Sequence, residues 1–139
     1  MDKVRILVVE DDPLVLVAVE EALLEAGFEV VTAGSANDAV QTLESEHTAL
    51  KAVLTDIRLG KGASGWDVGR HARTLSPSMP VIYVSGDSAQ DWAVHGVPKS
   101  VMLSKPFAFP QLVTALATLL NEADQAAALS GSDTPDGSA

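Results

Sequence analysis

The segment Ile6–Asp12 reads ILVVEDD, so three acidic residues follow directly on a short apolar run. An apolar run of this length predicts a strand that is buried on both faces. A second such run, Ala52–Thr55, ends in Asp56. If both runs are parallel strands, their carboxyl ends lie side by side and bring the acidic residues together at one edge of a sheet.

Two further apolar runs end in polar residues of other kinds. Pro80–Val84 is followed by Ser85, and Ser100–Ser104 is followed by Lys105. A hydroxyl group and an ammonium group are therefore expected at the same edge. Carboxylates this close repel one another unless a cation or bound protons offset their charge, so the acidic cluster predicts a hard divalent metal ion.

Five strand-like runs alternate with helical patterns along the chain, at about 4–9, 28–33, 51–55, 80–84 and 100–104. This alternation predicts an α/β fold with a five-stranded parallel sheet and helices on both faces. The strand order 2-1-3-4-5 is taken from the flavodoxin-like class rather than from the residues. In such folds, ligands bind outside the carboxyl ends of the strands.

The helical segments have recognisable ends. Asp12 is a candidate N-cap with Pro13 at the first helical position, and it is equally a candidate metal ligand. Gly27 ends the helix. The apolar face expected for this first helix consists of Leu14, Val15, Ala18, Ala22 and Leu23. The fourth helix, near 87–95, is short and weakly patterned. The fifth begins near Pro110, and its apolar stripe decays from about Asn121, which predicts a folded domain at 1–122 and a polar, disordered tail at 123–139.

The bulk composition limits the class of protein. The chain has 139 residues, no cysteine and a net charge of −10. This length fits one domain, and the absence of cysteine excludes disulfides and thiolate metal sites. The acidity argues against a nucleic-acid partner, and no segment has the length of a membrane span or the form of a signal peptide. We therefore expect a cytoplasmic protein whose partners are proteins or small phosphorylated donors.

Taken together, four motifs resemble the receiver domain of two-component response regulators. The similarity covers about residues 3–121, and a glycine-containing loop before the third helix adds to it. Each motif alone is weak, but four in order on the expected elements are a strong signal. The motifs are Val8–Pro13, Leu54–Asp56, Val84–Gly86 and Ser104–Phe107, and the loop is Gly62–Asp67.

The resemblance implies a role for each acidic residue. Asp56 would be the phosphoacceptor, whose carboxylate takes a phosphoryl group from a phosphohistidine to form an aspartyl phosphate. Mg²⁺ would be held by the carboxylates of Asp11 and Asp56 and by the backbone carbonyl of Arg58, with Glu10 acting through a water molecule.

The resemblance also implies a switch. Lys105 would contact a phosphate oxygen, and Ser85 would donate a hydrogen bond that is satisfied only in the phosphorylated state. The residue three before the lysine is usually Tyr or Phe in this family, but here it is Met102. An aromatic rotamer change cannot occur at that position. We also expect Arg58 and Asp87 to face each other across the entrance and to modulate the access of water.

The expected function is that of a phosphoacceptor receiver without an effector domain. Its partners would be a sensor histidine kinase or a histidine phosphotransfer protein and an unknown downstream protein, and the family allows a homodimer through the fourth and fifth helices. It would catalyse at most its own phosphorylation and dephosphorylation. Two alternatives are a receiver-like binding module that is never phosphorylated and a Mg²⁺-dependent phosphohydrolase. In the hydrolase, Arg58 would stand where a general acid is needed.

Overall fold

The computed structural model describes residues 3–60, 62–87 and 89–133 of the chain. Its strands are β1 (Arg5–Val9), β2 (Glu29–Ala33), β3 (Ala52–Asp56), β4 (Val81–Ser85) and β5 (Val101–Ser104). They form one parallel sheet in the order β2-β1-β3-β4-β5. The expected fold class and strand order are confirmed, and each strand begins and ends within one residue of its predicted run.

Helices cover both faces of the sheet. They are α1 (Pro13–Glu25), α2 (Ala36–Glu46), α3 (Gly65–Leu75), α4 (Trp92–His95) and α5 (Phe109–Asp133). Alternate strand residues point to opposite faces, and two apolar layers result. One layer packs the sheet against α1 and α5, and the other packs it against α2 and α3. Among the helices described, none combines the length and the apolar character needed to cross a bilayer.

The start of α1 follows the predicted capping pattern. The Asp12 side chain accepts a hydrogen bond from the backbone N–H of Leu14 at 2.9 Å, and Pro13 occupies the first turn. Leu14, which the sequence places on the apolar face of this helix, is 82% exposed, so that face is not buried at its first turn. Leu14 lies in the first turn, at the carboxyl end of the sheet, where it lines an open groove with Pro106 and Phe107. Burial of α1 instead depends on Val19 and Leu23.

The last two helices differ in length from their sequence patterns. A 3-10 turn (Ala89–Asp91) precedes the single turn of α4, in agreement with the weak pattern there. The predicted end of α5 near Asn121 is wrong, since the helix continues to Asp133. Glu, Gln, Leu and Ala favour helix and make up most of residues 122–129, so intrinsic propensity extends α5 beyond its packed stripe. The division into a domain at 1–122 and a tail stays a prediction, and residues 134–139 lie outside the described chain.

Candidate functional site

Three carboxylates meet where β1 and β3 end. These strands pair in parallel with Val9 opposite Thr55, so the residues that follow them are neighbours. One oxygen atom from each of Glu10, Asp11 and Asp56 lies within 4.8 Å of the others. Glu10 and Asp56 are only 6% and 8% exposed, whereas Asp11 is exposed. The convergence predicted for the ends of the first and third strands is therefore present in the fold.

Lys105 supplies a positive charge to this cluster. It follows β5, and its backbone N–H donates to the Ser85 carbonyl oxygen at 2.8 Å, which holds the residue beside the end of β4. Its ammonium nitrogen lies 3.1 Å from Asp56 Oδ2 and 3.6 Å from Glu10 Oε1. The next peptide bond, to Pro106, is cis. Thus one lysine faces two buried carboxylates from two different strands.

The charges in the cluster change the acidity of its members. Burial raises the pKa of Glu10 to about 7, a hydrogen bond from the Asp12 backbone N–H opposes this, and the negative charge of Asp56 raises the value further. Burial lowers the pKa of Lys105, but the hydrogen bond and charge of Asp56, with the charge of Glu10, outweigh burial and raise it overall. The lysine therefore stays protonated at neutral pH, while Glu10 is partly protonated.

Ser85 occupies the predicted position at the end of β4. Its side chain is almost fully buried, and its Oγ accepts a hydrogen bond from the backbone N–H of Asp87 at 3.1 Å. The Asp87 carboxylate forms an ion pair with the Arg58 guanidinium at 2.7 Å. The expectation that these two side chains face each other is confirmed. Both are largely solvent-exposed, so the pair lies at the surface of the site.

Met102 lies apart from the charged cluster. It is half-buried on β5, against the apolar layer that includes α2 and α3, and it pairs in register with Tyr83 of β4. No aromatic side chain stands at this position of β5, as the sequence indicates. The neighbouring strand, however, carries a buried ring at the same level.

Two glycines at the site were not singled out by the sequence motifs as functional residues. Gly65 begins α3 directly against the end of β3, where a Cβ atom would overlap the carbonyl oxygen of Asp56. Its backbone N–H also donates to the Ile57 carbonyl oxygen at 2.8 Å. Gly60 has a φ of +79°, and a Cβ there would lie 3.7 Å from Asp11 Oδ2. The spacing of glycines after the Leu54–Asp56 motif is the only signal that could have indicated them.

The donor atoms fit a magnesium ion. Three carboxylates lie within reach of one another, and Lys105 is the cation beside them. One lysine does not balance their negative charge, and a hard divalent ion would offset the remainder. Burial raises the pKa of Glu10, and the negative charge of Asp56 adds to this effect. Asp11 and Asp56 can supply direct oxygen ligands. The ligand role of the Arg58 carbonyl stays a prediction.

A model of the response regulator receiver domain matches residues 6–117. The chain belongs to this family. A crystal structure of a response regulator receiver protein from Sinorhizobium medicae is 42% identical, with a TM-score of 0.85, and the match covers 88% of this chain and 98% of that one. TrrA of Thermotoga maritima, solved with Mg²⁺ and BeF, is 27% identical, with a TM-score of 0.70 and coverage of 84% and 98%.

The curated relatives are longer proteins. The transcriptional regulatory protein PrrA of Mycobacterium leprae is 33% identical over 132 residues, which are 94% of this chain and 55% of that protein. The chain thus spans about half the length of PrrA, and it spans about a quarter of longer relatives such as AlgB of Pseudomonas aeruginosa. The similarity establishes a receiver domain, and receiver domains are generally signalling domains rather than enzymes.

Proposed function

We propose that Asp56 accepts a phosphoryl group from a phosphohistidine in a magnesium-dependent reaction. The observation that carries this proposal is the 3.1 Å contact between Lys105 Nζ and Asp56 Oδ2, inside a cluster that also contains Glu10 and Asp11. The donor would be a sensor histidine kinase or a histidine phosphotransfer protein. A carboxylate can act as a covalent nucleophile, and an ammonium group beside it can neutralise charge on the phosphoryl group during transfer.

The chain's residues would divide the work of the transfer. An Asp56 carboxylate oxygen attacks phosphorus, the bond from phosphorus to the histidine nitrogen breaks, and the imidazole keeps that electron pair and takes up a proton. Asp11 and Asp56, with the Arg58 carbonyl, would hold Mg²⁺, and Glu10 would act through a water molecule. The bound ion supplies positive charge to the phosphoryl oxygens during the transfer.

Lys105 and Ser85 would act on the phosphoryl oxygens. The Lys105 ammonium already lies beside the nucleophile, and it would exchange its contact with Asp56 for one with a phosphate oxygen. The Ser85 Oγ accepts from the Asp87 N–H, and its own hydrogen would be donated to the phosphoryl group. A contact made in only one state shifts the equilibrium between two conformations.

The same proposal gives the Arg58–Asp87 ion pair the role of a gate for water. The pair is largely solvent-exposed at the surface of the site. There it would limit the water that can reach the aspartyl phosphate. The pair also argues against the phosphohydrolase alternative, because a guanidinium held by a carboxylate is a poor proton donor at neutral pH. The proposal places the reaction in the cytoplasm, with a protein as the downstream target. The absence of a nucleic-acid partner, the absence of an effector domain and the homodimer through α4 and α5 stay predictions.

The test is an intact-mass measurement after incubation with acetyl phosphate and Mg²⁺. We expect one phosphoryl adduct on the wild-type protein and none on Asp56→Asn or in the presence of EDTA. Asp87→Asn is a matched control, because it also replaces an acid near the site and should still be labelled. An adduct on Asp56→Asn would refute the assignment, and no adduct on wild type would favour the binding module. Catalytic release of phosphate from added monoesters would favour the hydrolase.

A further inference from the structure

Tyr83 provides an aromatic ring one strand away from the position where the family usually has one. It lies opposite Met102 in the register of β4 and β5. It also lies two residues before Ser85, so both side chains point to the same face of β4. The ring is fully buried. A rigid side chain thus lies next to Met102 and on the same strand as the hydroxyl proposed to sense the phosphoryl group.

The surroundings of Tyr83 hold its ring in one orientation. The ring centroid lies 4.7 Å from that of Trp66 on α3. A Cβ atom at Gly69 would overlap the Tyr83 hydroxyl oxygen, so α3 approaches that oxygen as closely as a glycine permits. This close packing against α3 opposes a rotamer change of the ring unless α3 moves. Any displacement of β4 would therefore be passed on by the ring as a rigid body.

The Tyr83 hydroxyl reaches the segment between α4 and β5. Its oxygen accepts a hydrogen bond from the backbone N–H of Val97 at 3.2 Å, which is at the long end of the normal range. Val97 is buried, and a buried N–H without an acceptor is costly. A small shift of Tyr83 would break this bond, and Val97 would then have to move to find another partner.

Val97 is also tied to α4. Its carbonyl oxygen accepts from the Ser100 hydroxyl at 2.6 Å, and the Ser100 oxygen accepts from the Trp92 indole N–H at 2.8 Å. Helix α4 has a single turn, and no side chain caps its N-terminus. The position of Trp92, which is 38% exposed, thus depends on a chain of hydrogen bonds that ends at Tyr83.

We propose that Tyr83 is the positioning residue that transmits the state of Ser85 to α4. This inference rests on the proposed function of Asp56. When Ser85 turns towards a phosphoryl group, the end of β4 shifts, the bond between Tyr83 and Val97 is lost, and residues 92–100 move together. The movement relocates Trp92 at the surface. The change at Ser85 is therefore transmitted to α4 by a fixed ring on β4. It does not require an aromatic side chain that changes rotamer at the β5 position occupied by Met102.

The test is amide hydrogen exchange of peptides covering residues 92–100, with and without Mg²⁺ and beryllofluoride as a stable substitute for the phosphoryl group. In wild type, we expect beryllofluoride to increase exchange at Val97. In Tyr83→Phe, which keeps the ring, we expect exchange at Val97 to be about five-fold faster already without beryllofluoride, because one hydrogen bond is lost. Addition of beryllofluoride to this variant should then change the exchange rate at Val97 little.

Ser100→Ala is the matched control, since it loosens the same segment without touching Tyr83. It should also raise exchange, yet keep the response to beryllofluoride. One result would overturn this inference and leave the proposed function intact. In it, acetyl phosphate labels the wild-type protein, but beryllofluoride causes no change in exchange over residues 92–100. A full response in Tyr83→Phe, or a lost response in Ser100→Ala, would overturn it as well. Failure of wild type to take up a phosphoryl group would overturn both proposals.

Discussion

The Glu10 carboxyl group should make the metal-free protein less stable as the pH rises from about 4.5 to 7. Burial raises its pKa from 4.5 to about 7, and the charge of Asp56 adds to this effect. Between these values the folded chain keeps a proton on Glu10 that the unfolded chain has lost. Unfolding then releases a proton, so the free energy of unfolding decreases as the pH rises through this window.

The size of the effect follows from the pKa difference. The interval between 4.5 and about 7, at about 1.4 kcal/mol for each pH unit, corresponds to a loss of about 3 kcal/mol. This is a large fraction of the roughly 5–15 kcal/mol that stabilises a typical domain. Above pH 7 the contribution of Glu10 becomes constant, because the group is ionised in both states.

Urea denaturation in EDTA, at several pH values from 4.5 to 8, measures this change. Other groups also titrate, so the quantity of interest is the difference between wild type and Glu10→Gln, which cannot ionise. We expect that difference to change by about 3 kcal/mol, with wild type losing stability relative to the variant as the pH rises. Saturating Mg²⁺ should remove most of the loss. Parallel curves for the two proteins in EDTA would refute the reasoning.

Three further predictions test the site. Lys105→Met should slow labelling by acetyl phosphate about 100-fold, because a cation that stabilises the transition state is removed. Time-resolved intact-mass measurement gives the labelling rate. A rate equal to that of wild type would contradict the proposed role of Lys105. Gly65→Ala should lower the free energy of unfolding by about 1–3 kcal/mol through overlap with the carbonyl oxygen at the end of β3. Gly34→Ala, where a Cβ meets nothing within 4 Å, is its control in urea denaturation, and equal losses would argue against a steric cause. Arg58→Ala and Asp87→Ala should each accelerate loss of the phosphoryl group while changing stability by less than about 1 kcal/mol; an unchanged dephosphorylation rate would remove the idea of a gate.

Most of the fold could be predicted from the sequence because its signals are local. Each strand is a short apolar run, and Asp12 with Pro13 marks the start of α1 through residues that are adjacent in the chain. The exposure of Leu14 could not be predicted in this way. An apolar residue in the first turn matches the helical period, but here its side chain lines an open groove with Pro106 and Phe107.

The length of α5 and the hydrogen bond of Tyr83 show two other limits of prediction from the sequence. The apolar stripe of α5 reports only the part that packs on the sheet, whereas the helix continues to Asp133. Tyr83 reads as one more apolar position inside a buried strand. Its hydrogen bond to Val97 joins residues that are 14 positions apart and belong to different elements. No local pattern marks such a contact.

The amino-acid sequence by itself determined which chemical groups this protein carries at its strand ends: the acids after β1 and β3, the hydroxyl of Ser85 and the amine of Lys105. Parallel pairing then requires these ends to share one edge, which is why the site could be foreseen. Only the tertiary structure decided the distances between them, the burial that raises the pKa of Glu10, and the route from Tyr83 to α4. Those properties depend on packing between segments that are distant in the chain, and no residue specifies them alone.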